Sequence, residues 1–349
     1  MATKKRIAHL DLLKCFAIFM VLMGHGIQYL TPGDYCDKFS FRLIYSFHMP
    51  LFMAICGYFA WNTAKLSPAN FIKKKFIQLL LPAFLYILIQ ICFIRPWGGV
   101  LNAFYTALYN VWFLKSAFIC FCLFYISTKL SYKTIPIGFL LTLIATQFTG
   151  MFSLDIMYPS FIAGALLNKQ HELITRHIGY ITIVTGIIFV LMMSVYDGSF
   201  WQYNHTYNNV IIPLDLMQSP HFWWIHSYRL VIGIIGSVFF FTLFELLFSR
   251  RNNQSVAYRN LSFVGQLTLG IYLLQSDIWE GRHGLSTYLN FEYSWFFNLL
   301  ICPTMCAIIM ILCVLVIMTT GKFAPLVSKI IFNYKPAPKA INQKSPETI

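Results

Sequence analysis

Long apolar segments alternate with short polar ones along almost the whole chain. A helix needs roughly 20 apolar residues to cross the hydrocarbon core of a bilayer, and about ten segments approach that length. The predicted membrane spans lie at about 8–30, 44–62, 76–95, 104–127, 134–150, 155–168, 179–196, 227–249, 262–279 and 295–319. The pattern predicts an all-α fold, a polytopic bundle of about ten transmembrane helices surrounded by membrane lipid.

The composition argues against a soluble globular protein. Hydrophobic residues form 58% of the 349 residues, and charged residues form only 11%. A soluble domain of ordinary composition has about a quarter of its residues charged. The chain therefore has too few charged side chains to cover a water-exposed surface, and lipid must solvate most of it.

The cations lie in clusters at the ends of the apolar segments. Such clusters occur at residues 4–6, 73–75 and 250–251. If both termini are cytoplasmic, most of the 26 lysines and arginines fall on the cytoplasmic side, as the positive-inside bias requires. Both termini are therefore predicted to be cytoplasmic. A nucleic-acid surface would gather its cations on one stripe, so the net charge of +14 does not indicate a nucleic-acid partner.

No boundary to a second domain is visible in the sequence. Residues 1–334 are expected to form one integral membrane domain, followed by a polar, disordered cytoplasmic tail at 335–349. The first apolar segment is longer than the apolar core of a secretory signal, so it is expected to remain as a span. The cysteines show no paired CxxC spacing, and no metal site is expected.

Three ionisable residues lie in the otherwise apolar first span: Asp11, Lys14 and His25. The eleven positions from Lys14 to His25 return to within about 20° of the same helix face, about 16 Å further along. Such groups normally face the bundle interior or a wet cavity, because a charge at mid-bilayer costs at least ~2.5 kcal/mol. One interpretation is an Asp11–Lys14 ion pair with His25 at the membrane interface. The other is a functional passage in which the imidazole of His25 acts as a general base, and the glycines on either side of it favour this.

A second histidine is predicted at the same depth as His25. His48 comes just before Pro50, and proline fits the first turn of a helix, so His48 is expected near the outer membrane surface. Gly57 is expected to contact a neighbouring helix. Lys115 and Arg229 are two further cations inside predicted spans.

Five segments together resemble membrane acyltransferase family 3, which includes O-acetyltransferases of bacterial surface polysaccharides. In chain order they read LDLLKCFAIFMVLMGHG, FHMPLFMAICGYF, KKKFIQLLLP, VWFLKSAF and GQLTLGIYLL. Each is weakly specific alone, but their order and spacing are a strong signal. The resemblance implies an enzyme of the bacterial cytoplasmic (inner) membrane. Such an enzyme would transfer an acyl group, expected to be acetyl, from acyl-CoA to a hydroxyl of a cell-surface carbohydrate or lipid-linked glycan.

The resemblance also implies roles for single residues. His25 corresponds to the histidine taken as essential for transfer, and Lys14 to the basic residue upstream of it. Asp11 and His48 complete the expected catalytic group. Acetyl-CoA is expected as a co-substrate, with no permanently bound cofactor. The residues expected to bind it are Lys73, Lys74, Lys75, Trp112 and Lys115.

The acceptor is expected at the outer side, where the loop at about 197–226 is rich in Trp, Tyr, His and Asn. The expected acceptor-binding residues are Tyr58, Arg229, Trp223 and Trp224, with Trp201 as a further aromatic that could stack on a sugar ring. Aromatic belts at membrane interfaces are the alternative explanation for each tryptophan. Tyr58, Lys115 and Arg229 are also the candidates for stabilising an oxyanion.

One position departs from the family pattern. The family commonly has a histidine where this chain has Gln275, and a glutamine cannot transfer a proton at neutral pH. The departure keeps an inactive sensor or scaffold as an alternative. The main alternative is a transporter or flippase of a glycan or lipid precursor, which would show inverted repeats with broken helices. The sequence leaves open the acceptor, the acyl length, the oligomeric state, and whether transfer is direct or covalent.

Overall fold

The computed structural model describes residues 7–31, 33–94, 111–129, 135–202, 209–249, 255–279 and 284–334. All regular secondary structure in these residues is helical, which confirms the predicted fold class. The longer helices are α1 (Ala8–Leu30), α2 (Phe39–Tyr58), α3 (Pro68–Lys75), α4 (Leu81–Ile89), α5 (Trp112–Lys129), α6 (Ile135–Gln147), α7 (Leu154–Lys169), α8 (Ile178–Met193), α9 (Pro220–Phe248), α10 (Val256–Gln266), α11 (Thr268–Trp279) and α12 (Cys302–Phe323).

Shorter elements connect and extend these helices. Single helical turns or short helices lie at Tyr35–Asp37, Trp61–Ala64, Met151–Ser153, His171–Arg176, Ser199–Gln202, Leu214–Met217, Leu285–Thr287 and Pro325–Ile331. Wider π-helical turns lie at Phe76–Leu80, Gln90–Ile94 and Phe297–Ile301. The first of these joins α3 to α4. The predicted tail at 335–349 lies outside the described residues.

Six helices in the described residues are long and apolar enough to cross a membrane. They are Ala8–Leu30, Phe39–Tyr58, Pro68–Cys92, Trp112–Lys129, Pro220–Phe248 and Phe297–Phe323. Two shorter apolar helices, Pro136–Gln147 and Ile178–Met193, match two of the remaining predicted spans. The chain is therefore a polytopic membrane protein. The count of about ten spans and the cytoplasmic position of both termini stay predictions.

The helix that carries the predicted catalytic stripe lies at the centre of the bundle. α1 packs against α2, α9, α10, α11 and α12. Leu13, Ala17, Ile18 and Leu22 on this helix are completely buried. The other helices therefore make most of the contacts with lipid, and the polar groups on α1 face protein.

Small residues bring α2 and α7 into close contact. A Cβ atom on Gly57 would overlap the Phe161 carbonyl, and a Cβ atom on Gly164 would overlap the Ala54 carbonyl. The predicted helix contact at Gly57 is confirmed. Because neither position has room for a side chain, this crossing fixes α7 firmly against α2.

Two predicted helix starts are wrong. α2 begins at Phe39, so Pro50 lies inside the helix rather than in its first turn. α9 begins at Pro220, where a proline at the first position is favourable, rather than at about 227. Trp223 and Trp224 therefore lie on α9 rather than in the predicted outer loop.

Candidate active site

A cavity of about 250 Å³ lies at the end of the bundle where α1 ends and α2 begins. We call it the histidine cavity, because His25 and His48 both line it. Helices α1, α2, α5, α7, α9 and α11 contribute to its wall. Its other polar and aromatic lining residues are Gln28, Tyr29, Tyr45, Ser46, Trp112, Lys115, Phe152, Ser153, Tyr196, Trp201, Arg229, Tyr272, Gln275 and Ser276.

A hydrogen bond from α11 orients His25. The Nδ1 atom of His25 lies 2.9 Å from the Oε1 atom of Gln275. An amide oxygen can only accept, so Nδ1 carries the hydrogen and the lone pair is on Nε2. The imidazole is therefore held in the tautomer that a general base requires.

The glycines beside His25 allow other helices to approach it closely. A Cβ atom on Gly24 would lie 2.8 Å from the ring of Tyr45 on α2. A Cβ atom on Gly26 would lie 2.8 Å from the Cys302 sulfur and 3.2 Å from the ring of Trp279. Because neither glycine has a side chain, the backbone on either side of His25 packs closely against α2, α11 and α12.

The backbone of α2 orients His48. Its Nδ1 atom donates to the Ile44 carbonyl at 2.8 Å, which again leaves the lone pair on Nε2. The ring is only 3% exposed, and its centroid lies 4.6 Å from that of Tyr45. Pro50 has no N–H to bond the Ser46 carbonyl one turn earlier. The proline thus loosens the helical hydrogen bonding next to the cavity.

Two cations in the cavity wall lie against aromatic rings. Lys115 Nζ is 4.7 Å from the ring centroid of Phe152, and Arg229 Cζ is 5.4 Å from that of Trp201. Such cation–π contacts help to hold each cation in place. The sequence predicted both cations and Trp112 as functional, and the structure brings all three to the same cavity as His25.

The turn that precedes α7 carries local strain. Phe152 and Ser153 have φ angles of 56° and 52°, in the left-handed region that costs a non-glycine residue about 1–2 kcal/mol. The hydroxyl of Ser116 donates to the Phe152 carbonyl and so ties the turn to α5. Both strained residues line the histidine cavity.

The other predicted catalytic and donor-binding residues lie at the opposite end of the bundle, which we call the lysine end (Asp11, Lys14 and residues 73–75). Lys14 Nζ lies 3.0 Å from the Asp11 carboxylate, which confirms the predicted i,i+3 ion pair. Lys75 is 5% exposed, with Nζ 3.2 Å from the ring centroid of Phe121, whereas Lys73 and Lys74 are exposed. These residues, all of which the structure describes, do not line the histidine cavity.

Three predicted acceptor-binding residues also lie away from the cavity. Tyr58 is buried near the lysine end, with its ring centroid 5.0 Å from that of Phe241. The indole nitrogen of Trp223 donates to the Met217 carbonyl at 2.8 Å. Trp224 is 54% exposed on the outside of α9. Among the predicted aromatic residues of this region, Trp201 is the one that lines the cavity.

Comparison with known proteins decides the family. A family model described as an acyltransferase domain, of acyltransferase family 3, matches residues 7–319. This chain belongs to that family. A nodulation protein NolL from Mesorhizobium japonicum is 26% identical over 378 residues, which cover 98% of this chain and 94% of the relative. A NolL from Sinorhizobium fredii is 24% identical, covering 78% and 81% of the two chains. No solved structure matches the chain significantly.

Family membership and the apolar helices together make this protein a membrane acyltransferase. That identification confirms the family resemblance of the five sequence segments and favours an enzyme over a transporter or scaffold. In an acyltransferase, the two oriented imidazoles, the cations and the hydroxyl groups of the cavity are suited to proton transfer and charge stabilisation.

A buried histidine–carboxylate contact that the sequence did not predict supports the wall of the acyltransferase cavity. His226 on α9 has Nδ1 3.2 Å from the Asp155 carboxylate and Nε2 3.1 Å from the Gln147 amide oxygen. The Gln147 amide nitrogen donates to the Asp155 carbonyl at 2.9 Å. The network joins α6, α7 and α9 directly behind the strained turn. Asp155 belongs to no sequence motif, so its contact with His226 is recognised only from the packing of the helices.

Proposed function

We propose that this membrane acyltransferase transfers an acetyl group from acetyl-CoA to a hydroxyl of a cell-surface carbohydrate or lipid-linked glycan. We place the enzyme in the cytoplasmic membrane of a bacterium. The observation that supports the proposal most strongly is the 2.9 Å contact between His25 Nδ1 and Gln275 Oε1 at the wall of the histidine cavity. It presents a basic nitrogen, which acyl transfer to an alcohol needs.

In the proposed reaction, His25 Nε2 removes the proton of the acceptor hydroxyl as the oxygen attacks the thioester carbonyl carbon. The thiolate of CoA leaves and takes the proton from the imidazolium. His48 borders the same space and adds a polar side chain to its wall. Transient acylation of an enzyme group, with transfer in a second step, is the covalent version of the same chemistry.

The size and lining of the cavity favour a site for the reacting groups only. Its volume of about 250 Å³ is below the ~300–1,000 Å³ typical of pockets that enclose a whole small molecule. An acetyl thioester and one hydroxyl-bearing carbon fit, while the rest of each substrate lies outside. Trp201, with Arg229 against its ring, offers the aromatic face on which a sugar ring of the acceptor stacks.

The cations at the lysine end favour an anionic acyl donor. Lys75 is buried, and among the described residues its ammonium contacts the Phe121 ring rather than a carboxylate. Buried cations are normally paired, so an anionic ligand such as the phosphates of CoA fits beside Lys75. Lys14 and Lys75 both lie near Cys56, which is eight residues, or about 12 Å, along α2 from His48. The pantetheine arm would cross that distance.

The test is turnover of acetyl-CoA by purified protein in lipid nanodiscs, followed as free CoA and as radiolabelled acetyl in an extract of envelope glycans. His25→Ala should lower turnover about 10²–10⁴-fold, the usual contribution of a general base. His177→Ala, at an exposed histidine outside the cavity, is the control and should leave turnover unchanged. Equal turnover in His25→Ala would refute the catalytic assignment. Absence of turnover by the unmodified protein with acetyl-CoA and the extract would refute the acetyl-CoA proposal.

A further inference from the structure

The strained turn before α7 places a hydroxyl group at the cavity wall. Ser153 is the residue that precedes α7, and serine at this position usually accepts a hydrogen bond from the first turn of the helix. Here the Ser153 side chain makes no such bond. It is 5% exposed, lines the histidine cavity, and has no hydrogen bond to any other residue that the structure describes. The hydroxyl oxygen is not among the fully enclosed polar atoms that lack a partner, so it is accessible from the cavity, and a ligand there can accept its hydrogen bond.

A second donor is fixed beside the same turn. Lys115 lies over the Phe152 ring, and the adjacent Ser116 donates to the Phe152 carbonyl. Lys115 and Ser153 therefore belong to one small region of the cavity wall. The amino end of α7 begins at the next residue, but the Asp155 carboxylate in its first turn already offsets the positive partial charge there. The hydroxyl of Ser153 and the ammonium of Lys115 are therefore the two groups that favour a negatively charged oxygen.

We propose that Ser153 is a further catalytic residue, which donates a hydrogen bond to the thioester oxygen as that oxygen becomes negatively charged. The inference rests on the proposed acyl transfer. As the acceptor oxygen bonds to the carbonyl carbon, its proton passes to His25 and the carbonyl electron pair moves to the oxygen. The Ser153 hydroxyl and the Lys115 ammonium stabilise that oxyanion. When the C=O bond re-forms, the C–S bond breaks and the CoA thiolate takes the proton from His25.

The part of the cavity wall formed by Ser153 and Lys115 suits a transient oxyanion better than a permanently charged group of the acceptor. A single hydroxyl supplies a single hydrogen, which suits one oxygen that gains charge only during the reaction. Fixed donors of this kind stabilise a transition state because they need no reorientation when the charge develops. The hydrogen bond from Ser116 to the Phe152 carbonyl ties the turn that carries this donor to α5.

Ser153→Gly is the sharpest test, because glycine removes the hydroxyl and accepts a φ of 52° without strain. The thermal midpoint should therefore stay the same or rise. The kcat for acetyl-CoA turnover should fall about 10²-fold, as for loss of one oxyanion donor, with KM for acetyl-CoA within about twofold. Ser153→Ala should lose kcat similarly. Ser160→Ala is the matched control, since Ser160 is buried on the same helix but bonds the Ile156 carbonyl.

The outcomes separate this inference from the proposed function. Wild-type kcat in Ser153→Gly and Ser153→Ala, together with loss of turnover in His25→Ala, would overturn the role of Ser153 and leave the acyl transfer intact. A higher apparent KM for the envelope glycan extract, with kcat unchanged, would overturn it in favour of an anionic acceptor group. Wild-type turnover in His25→Ala would overturn both.

Discussion

The histidine cavity and the lysine end lie on the same helix, α1, but differ in how they hold their polar groups. His25 and Lys14 are about 16 Å apart along α1. At the cavity, hydrogen bonds and aromatic rings orient imidazoles and cations around open space. At the lysine end, Lys14 is paired with Asp11, and Lys75 lies against Phe121. An acyl-transfer site needs open space and oriented hydrogen-bond donors, whereas a phosphate-binding site needs only fixed positive charge.

This difference separates the expected kinetic effects of substitutions. A change at the cavity should act on kcat, because it alters groups that meet the reacting atoms. A change at the lysine end should act on KM for acetyl-CoA, because it alters binding of parts of the donor that do not react. Variants at each end therefore test whether the two ends have different roles.

After the His25 and Ser153 substitutions described above, the largest of these effects is expected at Gln275. Gln275→Leu removes the acceptor for His25 Nδ1, so the imidazole loses its fixed tautomer, and kcat should fall about 10–100-fold as for other orienting partners. Gln275→Glu keeps an oxygen acceptor and should retain most of the activity. Both variants are compared by steady-state turnover of acetyl-CoA in nanodiscs. A fully active Gln275→Leu would show that the hydrogen bond is dispensable.

A smaller effect, in KM, is expected at Lys75. Lys75→Gln removes the buried cation and should raise KM for acetyl-CoA about tenfold, equivalent to about 1.4 kcal/mol of binding, with little change in kcat. Lys73→Gln and Lys74→Gln are matched controls from the same helix turn, and both should stay within about twofold because exposed charges contribute little. A loss of kcat in Lys75→Gln, without a change in KM, would contradict the division between the two ends.

The smallest effect is expected in acceptor use. Trp201→Ala removes the aromatic face beside Arg229 and should reduce acetyl transfer to the envelope glycan extract about fivefold, as expected for ~1 kcal/mol of stacking. Release of CoA without the extract should change less. Trp224→Ala, at an exposed tryptophan outside the cavity, should have no effect on either rate. Equal losses in both variants would place the acceptor elsewhere.

The sequence predicted the helical class and four residues of the cavity for clear physical reasons. Apolar length reveals membrane helices, and charged groups inside them are too costly to face lipid. His25, His48, Lys115 and Arg229 were identified on that basis, and they meet at one cavity.

Other parts of the site depend on packing between distant segments. Trp201, Trp223 and Trp224 are alike in sequence, but Trp223 bonds the Met217 carbonyl and Trp224 faces outward. Residues 73–75 form one basic cluster in the sequence, yet the helix buries only Lys75 of the three. The role of Ser153 depends on a left-handed turn that no local pattern marks.

The proposed mechanism requires His25 to present an unprotonated Nε2 to the histidine cavity, with Gln275 accepting the hydrogen of Nδ1. Nitrogen-15 NMR of histidine-labelled protein in nanodiscs measures this tautomer, with the His25 signals identified as those missing from His25→Ala. We expect a protonated Nδ1 and an unprotonated Nε2 for His25 at neutral pH, and loss of this single tautomer in Gln275→Leu. A His25 ring protonated on Nε2, in the unmodified protein, would contradict it.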